Sequence, residues 1–159
     1  MESNCREGPH MSATNGKPAS PNPVRVLVVD DNQDAAEMFG LVLELLGHNI
    51  RVCYSGQNAL AEAMGIRPQV VFLDLGMPGL DGYAVAQQLR AQPDLASVVL
   101  VALTGYADES HRARAGEHFD HYLVKPCDPA EVVKILASIT RSQTVMAAGP
   151  AELVASVLT

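Results

Sequence analysis

Bases are scarce in this chain. Lysine and arginine number 11 against 18 aspartates and glutamates, a formal net charge of -7. Nucleic-acid surfaces rest on basic phosphate contacts, so this balance argues against nucleic acid as a direct partner. Cysteine is scarce too. Cys5, Cys53 and Cys127 are odd in number, far apart and in no CxxC arrangement. They read as reduced thiols of a cytoplasmic protein rather than a disulfide framework. No apolar run is long enough to span a bilayer, and the N-terminus lacks the hydrophobic segment of a secretory signal. No internal repeat is visible. What remains is 159 residues at 48% hydrophobic and 18% charged, which suits one domain with a real core.

The ends differ from the middle. Residues 1–23 are rich in Pro, Ser, Asn and Gly, with little to bury, and are expected to form a disordered tail. Residues 142–159 are small and mildly apolar, with a break at Gly149-Pro150. They read as a C-terminal tail or a short extra helix. The domain proper is expected over 24–141.

Within it, two periods alternate. β-rich apolar runs occupy 24–29, 49–54, 70–73, 98–103 and 121–124. Between them the spacing is helical. Ala35, Met38, Phe39, Val42, Leu45 and Leu46 are expected on one buried helix face, ended by Gly47. The last helix starts at Asp128-Pro129, a cap followed by proline at the first helical position. Others fall near 57–64, 82–91 and 108–116. Five strands alternating with five helices imply an α/β fold, a parallel sheet covered on both faces.

In such a sheet ligands bind beyond the carboxyl ends of the strands. Asp30 and Asp31 follow the first run, Asp74 the third, Thr104 the fourth and Lys125 the fifth. Each has a plain alternative: the paired acids can cap a helix, and Asp74, Thr104 and Lys125 can be turn residues. Together, however, three carboxylates, a hydroxyl and an ammonium converge on one edge. Clustered carboxylates are costly unless a cation joins them. Mg²⁺ takes one or two carboxylates and completes its shell with water and phosphate oxygens. Asp74 can then act as a carboxylate nucleophile toward phosphorus. Thr104 and the amide of Gly105 can donate to phosphoryl oxygens, and Lys125 offers a point charge.

The set "VVDD", "FLDLGMPGLDG", "ALTGYAD" and "LVKP" resembles the receiver domain of two-component response regulators, stand-alone or fused to a sensor kinase, over about residues 24–140. The resemblance implies a flavodoxin-like doubly wound sheet of strand order 2-1-3-4-5. It also implies phosphoryl transfer from a phosphohistidine of a kinase or phosphotransfer partner to Asp74. Asp31 would be a direct Mg²⁺ ligand, Asp30 would act largely through water, and the Gly76 carbonyl would add a ligand. Lys125-Pro126 would be a cis peptide. Phosphorylation, adding about -1.5 to -2 charge, would draw Thr104 inward and change the rotamer of Tyr122.

The segment at 108–116 contains only Ala113 and Ala115 as apolar residues and is expected to be the least stable part of the domain. Gly76 and Tyr106 are expected to give a moderately long-lived phosphoryl group. Docking is expected on the face of the fourth helix, fifth strand and fifth helix, with Val133 and Val145 as exposed contacts. The expected role is a single-domain regulator acting on a protein target, a phosphoacceptor rather than a turnover enzyme. A Mg²⁺-dependent phosphohydrolase and an unphosphorylated interaction module are the alternatives.

Overall fold

The structure is a computed structural model that describes residues 5–7, 20–105, 113 and 116–147. Its strands are β1 (Cys5–Glu7), β2 (Arg25–Val29), β3 (Asn49–Cys53), β4 (Val70–Asp74), β5 (Val99–Thr104) and β6 (His121–Val124). Its helices are α1 (Gln33–Leu45), α2 (Gly56–Ile66), α3 (Gly82–Ala91) and α4 (Pro129–Ala147), with a 3₁₀ turn at Pro93–Leu95. The helix expected at 108–116 lies outside the described residues apart from Ala113 and Gly116, as does Tyr106. The chain divides into two compact units, Met1–Cys127 and Asp128–Thr159.

The sheet order is β1-β3-β2-β4-β5-β6. The last five strands run parallel and reproduce the expected 2-1-3-4-5 arrangement. Parallel strands with both faces covered should be apolar throughout, and Val26–Val29, Val70–Leu73 and Leu100–Leu103 are all buried. Register then sets the site. Val29 pairs with Leu73, Asp74 with Leu103 and Thr104 with Val124. The residues that follow each strand therefore end level with one another.

Alternation along the strands separates the two faces. Leu27, Val29, Val71 and Leu73 join Ala59 and Ala63 of α2 and Val85, Ala86 and Leu89 of α3 in one core cluster. On the opposite face Phe72 meets Phe39 of α1 edge-on, ring centroids 5.0 Å apart. The buried stripe of α1 is not the one expected. It consists of Ala36, Gly40 and Leu43, whereas Met38, Val42, Leu45 and Leu46 are exposed. Gly40 explains the shift: a Cβ there would come within 2.9 Å of Val52 Cγ2. The helix thus approaches β3 along its smallest side chains, and the large aliphatics turn outward.

The N-terminal stretch also departs from expectation. Within the region read as a disordered tail, Cys5–Glu7 pairs antiparallel with β3, Cys5 opposite Cys53. These two cysteines form a disulfide, which corrects the reading of all three as reduced thiols; Cys127 keeps its thiol. The physical reason is the open edge of β3, a row of backbone groups that accepts another strand. That pairing closes a 48-residue separation that spacing alone did not reveal.

In the second unit, Asp128 starts α4: its Oδ1 accepts the Ala130 N–H at 2.9 Å and its carbonyl accepts the Glu131 N–H. The helix continues to Ala147, past the expected boundary at 141; residues 148–159 lie outside the described residues. Among the described residues no helix is long and apolar enough to cross a membrane.

Candidate phosphoacceptor and metal site

The turn after β2 places the first acids. The Asp30 N–H donates to the Cys53 carbonyl at 3.1 Å, one bond beyond the β2–β3 ladder. Asp30 Oδ1 accepts the Asn32 N–H at 2.9 Å, and Asn32 Oδ1 accepts the Ala35 N–H at 3.1 Å. Asn32 is therefore the α1 cap, and both aspartates are released from the capping role that their positions allowed. Asp74 is the last residue of β4. Its Oδ1 accepts the Gly76 N–H at 2.9 Å, and the Leu75 N–H donates to the Leu103 carbonyl at 3.0 Å. The Lys125 N–H donates to the Thr104 carbonyl at 2.7 Å, and the Lys125-Pro126 peptide is cis, as expected.

These turns bring the expected residues together. Carboxylate oxygens of Asp30, Asp31 and Asp74 lie within 4.8 Å of one another. Lys125 Nζ is 2.6 Å from Asp30 Oδ2 and 3.3 Å from Asp74 Oδ2. Asp30 and Thr104, each 3% exposed, are the buried polar side chains among the described residues; Asp31 is exposed. Three hard oxygen donors with one open side suit a divalent cation that retains waters. Such a group of acids could hold a metal ion.

Electrostatics follow from burial and charge. Burial pushes the Asp74 carboxyl above its ordinary range, with Asp30 adding to the rise; the Gly76 amide and the Lys125 ammonium oppose it. For Lys125, burial acts to lower its pKa, but the hydrogen bond to Asp30 and the charges of Asp74 and Asp30 outweigh it and the net shift is upward. The ammonium stays charged beside the acids.

Thr104 and Gly105 stand at this edge in the backbone. Thr104 ends β5 and Gly105 follows it, exposed, with nothing within 4 Å of where a Cβ would be. Tyr122 of β6 is half-buried against the core cluster. Val133 is exposed as expected, whereas the side chain of Val145 lies outside the described residues.

Three supporting residues escaped sequence reasoning: Asn32, Cys53 through its carbonyl, and Gly82. A Cβ on Gly82 would strike the Asp74 carbonyl and come within 2.9 Å of Leu75 Cα. Asp81 caps α3 by accepting the Ala84 N–H at 2.9 Å, so the helix starts hard against the acceptor strand. The Asp-Gly pair at 81–82 was the available signal: a cap residue, then a residue with no side chain.

The profile of the response regulator receiver domain matches residues 26–137. The chain belongs to that family. This receiver is 37% identical over 120 residues to the DNA-binding response regulator MtrA of Mycolicibacterium smegmatis, covering 75% of this chain and 52% of MtrA. It spans about half the length of the curated relatives it matches. Among solved structures it is similar to a CheY-like receiver domain from Methylobacillus flagellatus, at 37% identity, TM-score 0.65, 74% of this chain and 98% of that one. It is also similar to the receiver domain of a signal transduction histidine kinase from Syntrophus aciditrophicus, at 28% identity, TM-score 0.68, 75% of this chain and 91% of that one.

Proposed function

We propose that this receiver accepts a phosphoryl group on Asp74 from a phosphohistidine of a kinase or phosphotransfer protein, with Mg²⁺ held by Asp30, Asp31, Asp74 and the Gly76 carbonyl. The observation that carries this reading is the meeting of the three carboxylates within 4.8 Å with Lys125 on Asp30 and Asp74. Mg²⁺, when bound, neutralises charge on the phosphoryl oxygens. An Asp74 oxygen forms the new P–O bond while the P–N bond of the donor breaks. Lys125, already poised between Asp30 and Asp74, turns its charge to the phosphoryl oxygens. Thr104 and the Gly105 amide supply hydrogen bonds to the same oxygens.

The added charge then drives the switch, in which Thr104 and Tyr122 change position and alter the surface offered to a protein target. The protein is a phosphoacceptor that assists its own phosphorylation and dephosphorylation, in a cytoplasmic setting, with no nucleic-acid contact of its own. Against a phosphohydrolase stands the residue two after Asp30. It is Asn32, whose side chain is engaged in capping α1, so no acid is free there for leaving-group chemistry.

Incubation with Mg²⁺ and a small acyl-phosphate donor, followed by intact mass spectrometry, tests the reading. The wild type gains one phosphoryl group and Asp74→Asn gains none. Equal labelling of both, or labelling without Mg²⁺, overturns it.

A further inference from the structure

One covalent bond stands outside the phosphoacceptor site, and one of its cysteines is hydrogen-bonded through its backbone to Asp30. β1 contributes three residues, Cys5–Glu7, to the edge of β3, too short a strand to hold by ladder bonds alone. Two further tethers fix it. One is the disulfide from Cys5 to Cys53. The other is Arg6 with Glu37 of α1, 3.7 Å apart, an exposed pair of little strength. The disulfide is therefore the main fastening of the strand.

Cys53 is also the residue whose carbonyl holds the Asp30 N–H at 3.1 Å. Asp30 in turn grips Lys125 at 2.6 Å. One side of Cys53 thus carries the disulfide and the other carries the backbone of an acid in the phosphoacceptor site. The two residues differ in exposure: Cys5 is half-buried, whereas Cys53 is fully buried. Attack on a disulfide goes to the sulfur that can be reached.

We propose that Cys5 and Cys53 form a redox latch, opened by a dithiol reductant, that fastens β1 to the edge of β3 and steadies the Asp30 backbone. The reductant's thiolate attacks the Cys5 sulfur, forming a mixed disulfide, and Cys53 leaves as a thiolate. The reductant's second thiol then attacks its own sulfur in the mixed disulfide and frees Cys5. Two electrons and two protons pass to the protein, leaving two thiols, and the reductant becomes a disulfide. Once released, three residues cannot hold the edge, and β3 presents its outer backbone groups to solvent. The consequence for phosphoryl uptake rests on the function proposed above; the opening of the strand does not.

The test uses the full chain and reads thiols and amides, not phosphorylation. In protein purified without reductant, alkylation under denaturing conditions labels Cys127 alone; after dithiothreitol it labels all three cysteines. A monothiol that cannot resolve its own mixed disulfide is trapped on Cys5. The amide of Val52, which faces β1 opposite Arg6, and that of Asp30, held by the Cys53 carbonyl, exchange at least about tenfold faster after reduction, while those of 70–74 and 99–103 do not change. Cys5→Ser, which leaves the buried Cys53 in place, shows the fast pattern with or without reductant. Labelling of all three cysteines before reduction overturns the proposal. So does exchange at Val52 and Asp30 that is the same in the oxidised, reduced and Cys5→Ser proteins.

Discussion

Lys125 Nζ lies 2.6 Å from Asp30 Oδ2 and 3.3 Å from Asp74 Oδ2, so one ammonium compensates two carboxylates from different strands. The same charge repels a divalent cation at those acids. Lys125→Met is expected to bind Mg²⁺ about tenfold more tightly by titration calorimetry, because a positive neighbour has gone. It should also take up phosphate from an acyl-phosphate donor at least about tenfold more slowly, because the incoming group loses its point charge. Weaker Mg²⁺ binding in the variant would contradict the geometry.

Gly82 abuts the Asp74 carbonyl. Gly82→Ala must push α3 away from β4 or displace the acceptor backbone. A loss of about 1–3 kcal/mol of stability is expected in urea unfolding, as for other over-packed contacts. Slower phosphoryl uptake should accompany it. Gly65→Ala, with nothing within 4 Å of its Cβ, is the control. Replacing a glycine in the last turn of α2 should leave it as stable as the wild type or slightly more so.

The outward row of α1 makes a contrast measurable by the same unfolding experiment. Leu43, fully buried, should lose about 3 kcal/mol on change to Ala. Met38, 64% exposed, should lose less than about 0.5 kcal/mol. Reversed magnitudes would restore the helix face expected from periodicity.

His48 supplies a pH dependence away from the acids. Its Nδ1 accepts the Val24 N–H at 3.1 Å, and burial lowers its pKa below the ordinary 6.5. The folded state therefore resists protonation more than the unfolded chain does. The stability this neutral ring contributes is fully present above pH 6.5 and is lost as pH falls from there through the folded-state value. Comparing urea midpoints at about pH 7.5 and pH 5.5, the wild type should fall further than His48→Gln. Equal falls would remove His48 as a cause.

The sequence by itself determined the parallel α/β sheet and the candidate residues. Apolar runs of strand length are unambiguous when both faces of a sheet are covered, and each of Asp30, Asp74, Thr104 and Lys125 stands at or just past the end of one. Helix faces were less legible. On α1, Met38, Val42, Leu45 and Leu46 share a helical spacing that marks an apolar face, but hydrophobicity does not say how near a helix may come to its sheet; Gly40 against Val52 does.

Only the tertiary structure decided that Asn32 rather than an aspartate caps α1, that Gly82 sits on the Asp74 carbonyl, and that Cys5 reaches Cys53. Each of these depends on distances between segments far apart in the chain or on a choice among adjacent polar residues. Periodicity and composition carry no information about either, because both are local sums and these contacts are not.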